Sequence, residues 1–172
     1  MSGPEERFTA LYQLHYEDIA RYLRRRAPEL DCRDLVADVF LVAWRRFAEL
    51  ERARLPLPWL YGVARRVLAN ACRGARRADG LVAKAARYSG RDLAADHTEQ
   101  TEDRLALAAA LAGLGETDRE ALRLIAWEGL STRDAAAALG CSAAALSMRL
   151  LRLRRRLRTD AWPALALLTG GA

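Results

Sequence analysis

Residues 130–158 read LSTRDAAAALGCSAAALSMRLLRLRRRLR, and this stretch decides the fold of the C-terminal part of the chain. Ser131 precedes a short helical run, Thr132 to Leu139, with Asp134 in its first turn, which is a capping pattern. Gly140 suits the left-handed residue that closes a helix. Ser142 then caps a longer helix predicted from about Ala143 to Arg158. Ala135 to Ala138 keep the first helix thin, so the two helices can cross closely. Two helices joined by so tight a turn form a helix-turn-helix, whose second helix is the one that enters a major groove.

The second helix carries Leu146, Leu150, Leu153 and Leu157 at spacings of four, three and four, an apolar stripe that packs on its own domain. Arg149, Arg152, Arg154, Arg155, Arg156 and Arg158 fill the other faces. A helical hairpin with a solvated charged face shares this pattern. Six arginines with no balancing acid argue instead for a polyanion partner.

Working towards the N-terminus, Thr117-Asp118-Arg119-Glu120 fits a capping box that opens a helix ending at Gly129, and the second domain is expected to start near Arg104. Residues 91–103 hold one arginine and five acids, and Asp79-Gly80 and Ser89-Gly90 are turn signals. Residues 79–103 therefore read as a flexible acidic linker. Before it, Phe8, Leu11, Tyr12, His15, Ile19 and Tyr22 form the apolar stripe of a first helix that Pro28 ends. A second helix is predicted from about Arg33 to Leu50, with Val36, Phe40, Ala43 and Phe47 on one face. Pro56 and Pro58 mark a break over residues 52–58, and a third long helix follows from about Trp59 to Arg77. Strand signals are weak, and no repeat of fixed period is present. The expectation is an all-α chain of two small helical domains, 1–78 and 104–160, joined by the linker and followed by a tail, 161–172.

The net charge is +6, and its distribution is more telling than its size. Residues 60–77 contain five arginines and no acid, and residues 149–158 contain six and no acid. Lys84 is the single lysine, a bias that suits phosphate and guanine recognition but equally follows from genome composition. Two basic patches separated by acidic sequence suggest two contacts with a polyanion. In the first patch Trp59 and Tyr61 stand beside Arg65, Arg66, Asn70 and Arg73, an arrangement able to stack unpaired bases. The same spacing suits a core position for both rings.

Cys32, Cys72 and Cys141 are odd in number and far apart, so the chain reads as reduced and cytoplasmic. MSGPEERF does not read as a signal peptide, and no apolar run approaches the roughly 18 residues needed to span a bilayer. The two histidines are His15 and His97. Without metal-ligand spacing, a nucleophile motif or a glycine-rich phosphate loop, neither an enzyme, a metal nor a cofactor is expected.

Taken in order, four blocks resemble the extracytoplasmic-function (group 4) sigma factors of bacterial RNA polymerase. FTALYQLHYEDIARYLRRR, Phe8 to Arg26, resembles their first helix, and DLVADVFLVAWRRF, Asp34 to Phe47, is similar to the block that grips the clamp helices of the polymerase largest subunit. PWLYGVARRVLANACR, Pro58 to Arg73, looks like the helix that melts and reads the minus-ten element, and Leu130 to Arg158 resembles the reader of the minus-thirty-five element. The resemblance covers nearly the whole chain. Departures are Ala37 for the usual Gln, Asp38 for Glu, Arg66 for Asn, Ser147 for Lys or Arg, and Met148 for Ser.

The resemblance implies binding of core RNA polymerase through Asp34, Leu35, Asp38 and Val39 on an exposed or partly exposed face. It implies single-stranded promoter DNA at Arg52, Arg54, Trp59, Tyr61, Arg65, Arg66, Asn70 and Arg73. Double-stranded promoter DNA would meet Ser142, Ser147, Met148, Arg149, Leu151 and Arg152, with Arg149 on a phosphate. An inhibitory anti-sigma factor is a further implied partner. The competing readings are a stand-alone helix-turn-helix transcriptional regulator, which leaves the first domain unexplained, and a pure interaction protein, against which the two arginine patches argue.

Overall fold

The computed structural model describes residues 3–78 and 113–157. The chain divides between Ala86 and Arg87 into two units, and each is described by itself. The expected linker, 79–103, the expected domain start at Arg104 and the tail, 161–172, lie outside the described residues. All regular structure among the described residues is α-helical, so the all-α expectation holds.

The N-terminal unit contains α1 (Pro4–Arg26), α2 (Cys32–Arg45), α3 (Phe47–Arg52) and α4 (Pro56–Ala78). Helix α1 begins on Pro4, whose missing N–H costs nothing at a first helical position. Glu5 and Glu6 in its first turn and Arg24, Arg25 and Arg26 in its last complement the helix dipole. Asp31 caps α2, its carboxylate accepting from the amides of Arg33 (2.8 Å) and Asp34 (3.4 Å). The core is Ile19, Tyr22 and Leu23 of α1, Leu35, Val36, Val39, Phe40 and Ala43 of α2, and Leu60, Tyr61, Val63, Ala64 and Leu68 of α4. Each large aliphatic side chain taken fully from water contributes about 1.5–3 kcal/mol.

The predicted helix 33–50 is two helices. The chain breaks at Arg46 (φ −115°, ψ 29°), whose carbonyl takes the amides of Glu49 (2.9 Å) and Leu50 (3.1 Å) and so starts α3. The bend delivers Leu50 into the core, where it is fully buried. Helix α4 begins at Pro56 rather than Trp59. Both prolines sit in its first turn, where their absent amides would have had no intrahelical partner.

The C-terminal unit contains α5 (Glu116–Ala126), α6 (Thr132–Leu139) and α7 (Ala143–Leu157). The capping box expected at Thr117 is displaced. Gly115 is the cap residue of α5, its carbonyl accepting from Asp118 and Arg119. The helix ends at Ala126, and Gly129 (φ 64°) lies beyond it in the turn. Helix α6 keeps its predicted caps. Ser131 Oγ accepts from the Asp134 amide at 3.1 Å and donates to the Asp134 carboxylate at 2.6 Å, and Gly140 is left-handed at φ 73°. Ser142 Oγ takes the Ala145 amide at 3.1 Å to open α7. The chain turns through 106° between α6 and α7, within the usual range of a helix-turn-helix. Ala135, Ala136, Ala138 and Leu139 pack against Leu146 and Leu153 in the core of this unit.

Candidate functional site

On α7, Leu146 and Leu153 are buried and Leu150 is half-buried, so the predicted stripe faces inward as far as it is described. The opposite face carries Ser147, Met148, Arg149, Leu151, Arg152, Arg154 and Arg155, all exposed. Met148 is 52% exposed and Leu151 42%, two large apolar side chains among the arginines of this face. Ser142 acts as the helix cap. Arg149 Nη1 lies 3.3 Å from Asp118 Oδ1 of α5. The first turn of α5, Gly115 to Asp118, and Arg149, Arg152 and Leu153 enclose an open hollow of about 380 Å³.

Behind this face α5 holds buried charge. Arg119 donates to the Leu114 carbonyl (3.0 Å) and the Glu116 carboxylate (3.0 Å), and Arg123 lies 3.5 Å from Glu116 and 3.9 Å from Glu120. These pairs all lie within α5 and the residues that lead into it, and a buried charge in such a pair is costly to leave alone.

In the N-terminal unit, Arg66, Asn70 and Arg73 are exposed along α4, and Arg65 is half-buried. The Arg73 guanidinium donates to the Asn70 side-chain oxygen. Arg52 and Arg54 are exposed at and just beyond the end of α3. Trp59 is half-buried, and the Arg46 guanidinium lies over its ring at 5.6 Å. Glu49 grips Arg46 with both carboxylate oxygens, one at 2.9 Å from Nε. That hydrogen bond is the main reason the Glu49 carboxyl is held below the usual carboxylate range. Burial opposes it, and the charges of Arg46, Arg52 and Arg66 each add a smaller contribution in the same direction as the hydrogen bond.

Tyr61 does not join this surface. It is 3% exposed and its ring lies 5.0 Å from that of Tyr22, so the core position its spacing allowed is the one it takes. Leu35 (5% exposed) and Val39 (0%) also require correction. They lie on the buried face of α2 with Val36, Phe40 and Ala43, because that stripe is wider than one residue per turn. Asp34 and Asp38 are exposed as expected, and Ala37, Leu41 and Trp44 are exposed with them. Trp44 rests edge-on against Phe8 at 5.0 Å, and Tyr12 against Phe40 at 4.6 Å. Sequence reasoning missed Leu41, Trp44, Arg46, Glu49 and Asp118. The signal for the first two was a large apolar residue lying off the buried stripe.

Among the described residues no group of three His, Cys, Asp or Glu side chains is placed to hold a metal ion. No single described helix is long and apolar enough to cross a membrane.

Residues 11–78 match the family model for sigma-70 region 2, and residues 104–157 that for sigma-70 region 4. The RNA polymerase sigma factor NccH of Alcaligenes xylosoxydans is 31% identical over 169 residues, covering 90% of this chain and 87% of that protein. Among solved structures, the sigma factor RpoE in complex with the anti-sigma factor NepR from Bartonella quintana matches with a TM-score of 0.60 and 25% identity, covering 95% of this chain and 96% of that one. CnrH, a sigma factor of Cupriavidus metallidurans, solved with the cytosolic domain of CnrY, matches with a TM-score of 0.57 and 26% identity over 90% and 86% of the two chains.

Proposed function

The chain belongs to the sigma-70 family and is an extracytoplasmic-function RNA polymerase sigma factor, and from that premise we propose how its residues divide the work of initiation. The protein binds core RNA polymerase and directs it to promoters, acting in the cytoplasm. One observation carries the residue-level reading: each unit separately presents an arginine-bearing face with no acid on the same helix, α4 in one and α7 in the other.

On α4, Arg65, Arg66, Asn70 and Arg73 track the backbone of the melted minus-ten strand, and Arg52 and Arg54 flank the site that receives an extruded base. Trp59 contributes there through the Arg46 guanidinium that covers it. On α7, Ser147, Met148, Leu151 and Arg152 face the groove of the minus-thirty-five duplex and Arg149 meets a phosphate. Asp34 and Asp38, with the neighbouring Leu41 and Trp44, form the polymerase-binding face of α2. Residues 79–103 tether the two readers, so two weak contacts act together through effective concentration. An anti-sigma protein, of the kind bound to RpoE in its solved complex, holds the factor inactive by covering these faces.

A stand-alone helix-turn-helix regulator accounts for residues 104–157 and leaves the region 2 match without a purpose. Promoter opening distinguishes the two. Polymerase reconstituted with this protein renders thymines near the minus-ten element reactive to permanganate; reactivity absent on every promoter tried would remove the proposal.

A further inference from the structure

The outward face of α7 is not uniformly charged. At 100° per residue, Ala144, Met148 and Leu151 fall on one line along the helix, directly opposite Leu146 and Leu153. All three are exposed, Met148 at 52% and Leu151 at 42%. Ser147 and Arg152 flank the line, and Arg155 continues it. This is an apolar stripe set inside a cationic face.

The surround selects the occupant. Helix α7 carries no acid in its first turn or anywhere along its length, and exposed arginines border the stripe, so its partner is a polyanion with apolar groups at the centre of contact. In the major groove one base offers such a group, the 5-methyl of thymine. Met148 and Leu151 are three residues apart, about 4.5 Å along the helix axis, against about 3.4 Å per base step. A spacing of that size lets the two side chains reach neighbouring steps when the helix lies along the groove. The small side chains of Ala143, Ala144 and Ala145 in the first turn let that end of the helix sit deep, where base edges are read.

We propose that Met148 and Leu151 are specificity-determining residues that select thymines on adjacent steps of the upstream promoter element by packing on their 5-methyl groups. The proposal rests on α7 being the duplex-reading helix.

The test uses polymerase holoenzyme reconstituted with the full chain. A duplex library randomised over the upstream element is enriched by binding, and each thymine of the enriched element is then replaced singly by uracil, which deletes only the methyl. Replacement at the contacted thymines weakens binding about fourfold each, the worth of one buried methyl-sized group. Met148→Ala and Leu151→Ala each abolish the sensitivity at one of those thymines, with helicity and polymerase binding unchanged. Enrichment of an element without thymine in either strand, or affinity indifferent to every uracil, overturns the inference and leaves the sigma-factor reading standing. Uracil sensitivity that persists in both variants also overturns it. So do variants that lose only capture by an anti-sigma protein, since the stripe then serves a protein partner. If the holoenzyme enriches no element at all, both readings fall.

Discussion

Asp118 Oδ1 lies 3.3 Å from Arg149 Nη1, joining the first turn of α5 to the exposed face of the recognition helix. The pair is substantially exposed, 45% on the arginine side and 23% on the aspartate side, so it contributes little to stability, about 0–1 kcal/mol. Its weight is expected in binding, because a carboxylate that holds an arginine also repels the phosphate proposed for that arginine. Asp118→Asn is expected to lower the thermal midpoint by no more than about 4–8 °C and to tighten duplex binding at low salt. Weaker binding by the variant would mean that Asp118 presents Arg149 rather than restrains it.

Arg149 and Arg152 are expected to separate by function. Arg149→Ala weakens binding to many duplex sequences about equally and lowers the slope of affinity against salt by roughly one unit, as loss of one phosphate contact does. Arg152→Ala relaxes base preference instead. Quantitative binding across a set of upstream sequences reads both. Identical, sequence-independent losses from the two variants would remove the base-reading role of Arg152.

On α2 the prediction divides buried from exposed. Leu35→Ala, in the core, lowers unfolding stability by about 2–4 kcal/mol, the cost of deleting a buried leucine side chain. Asp38→Asn and Leu41→Ala, both exposed, leave stability within about 0.5 kcal/mol and weaken association with core polymerase. Denaturant unfolding and competition binding to polymerase separate the effects. Full polymerase affinity in both exposed variants would place the binding face elsewhere.

Glu49 links pH to the ring of Trp59. Its carboxyl is held below its ordinary value, chiefly by the hydrogen bonds from Arg46, so the contact is fully present above the unfolded-state value and is lost as pH falls through the depressed folded value. Arg46 then leaves the indole. Fluorescence of a variant retaining only Trp59 among the tryptophans should change only below the ordinary glutamate range, and Glu49→Gln should abolish that transition. A transition unmoved by the substitution would assign it to another carboxylate.

Much of this architecture was legible because its punctuation is local. Ser131, Gly140 and Ser142 announce the two helices of the C-terminal motif without help from distant residues, and all three act as expected. The break at Arg46 was not legible, since neither glycine nor proline marks it. It is imposed by tertiary burial of Leu50. The cap of α5 was misplaced because Thr117 imitates a capping residue while Gly115 supplies only backbone. Tyr61, Leu35 and Val39 show the limit for the site: family position suggests a role, but burial against Tyr22 or beside Phe40 depends on how three helices meet. The arginine faces were readable because charge without compensation has few uses in a core. The contact of Asp118 with Arg149 arises between two helices and becomes visible only once they are placed, whereas Glu49 meets Arg46 across a single turn that opens only where the chain breaks at Arg46.

As a sigma factor, this chain gives core polymerase its promoter specificity. Run-off transcription from a pool of genomic promoters, with core polymerase alone, the protein alone and the two together, tests it most directly. Defined transcripts are expected only from the combination, all sharing one pair of upstream sequence elements. No stimulation of core polymerase on any promoter would contradict it.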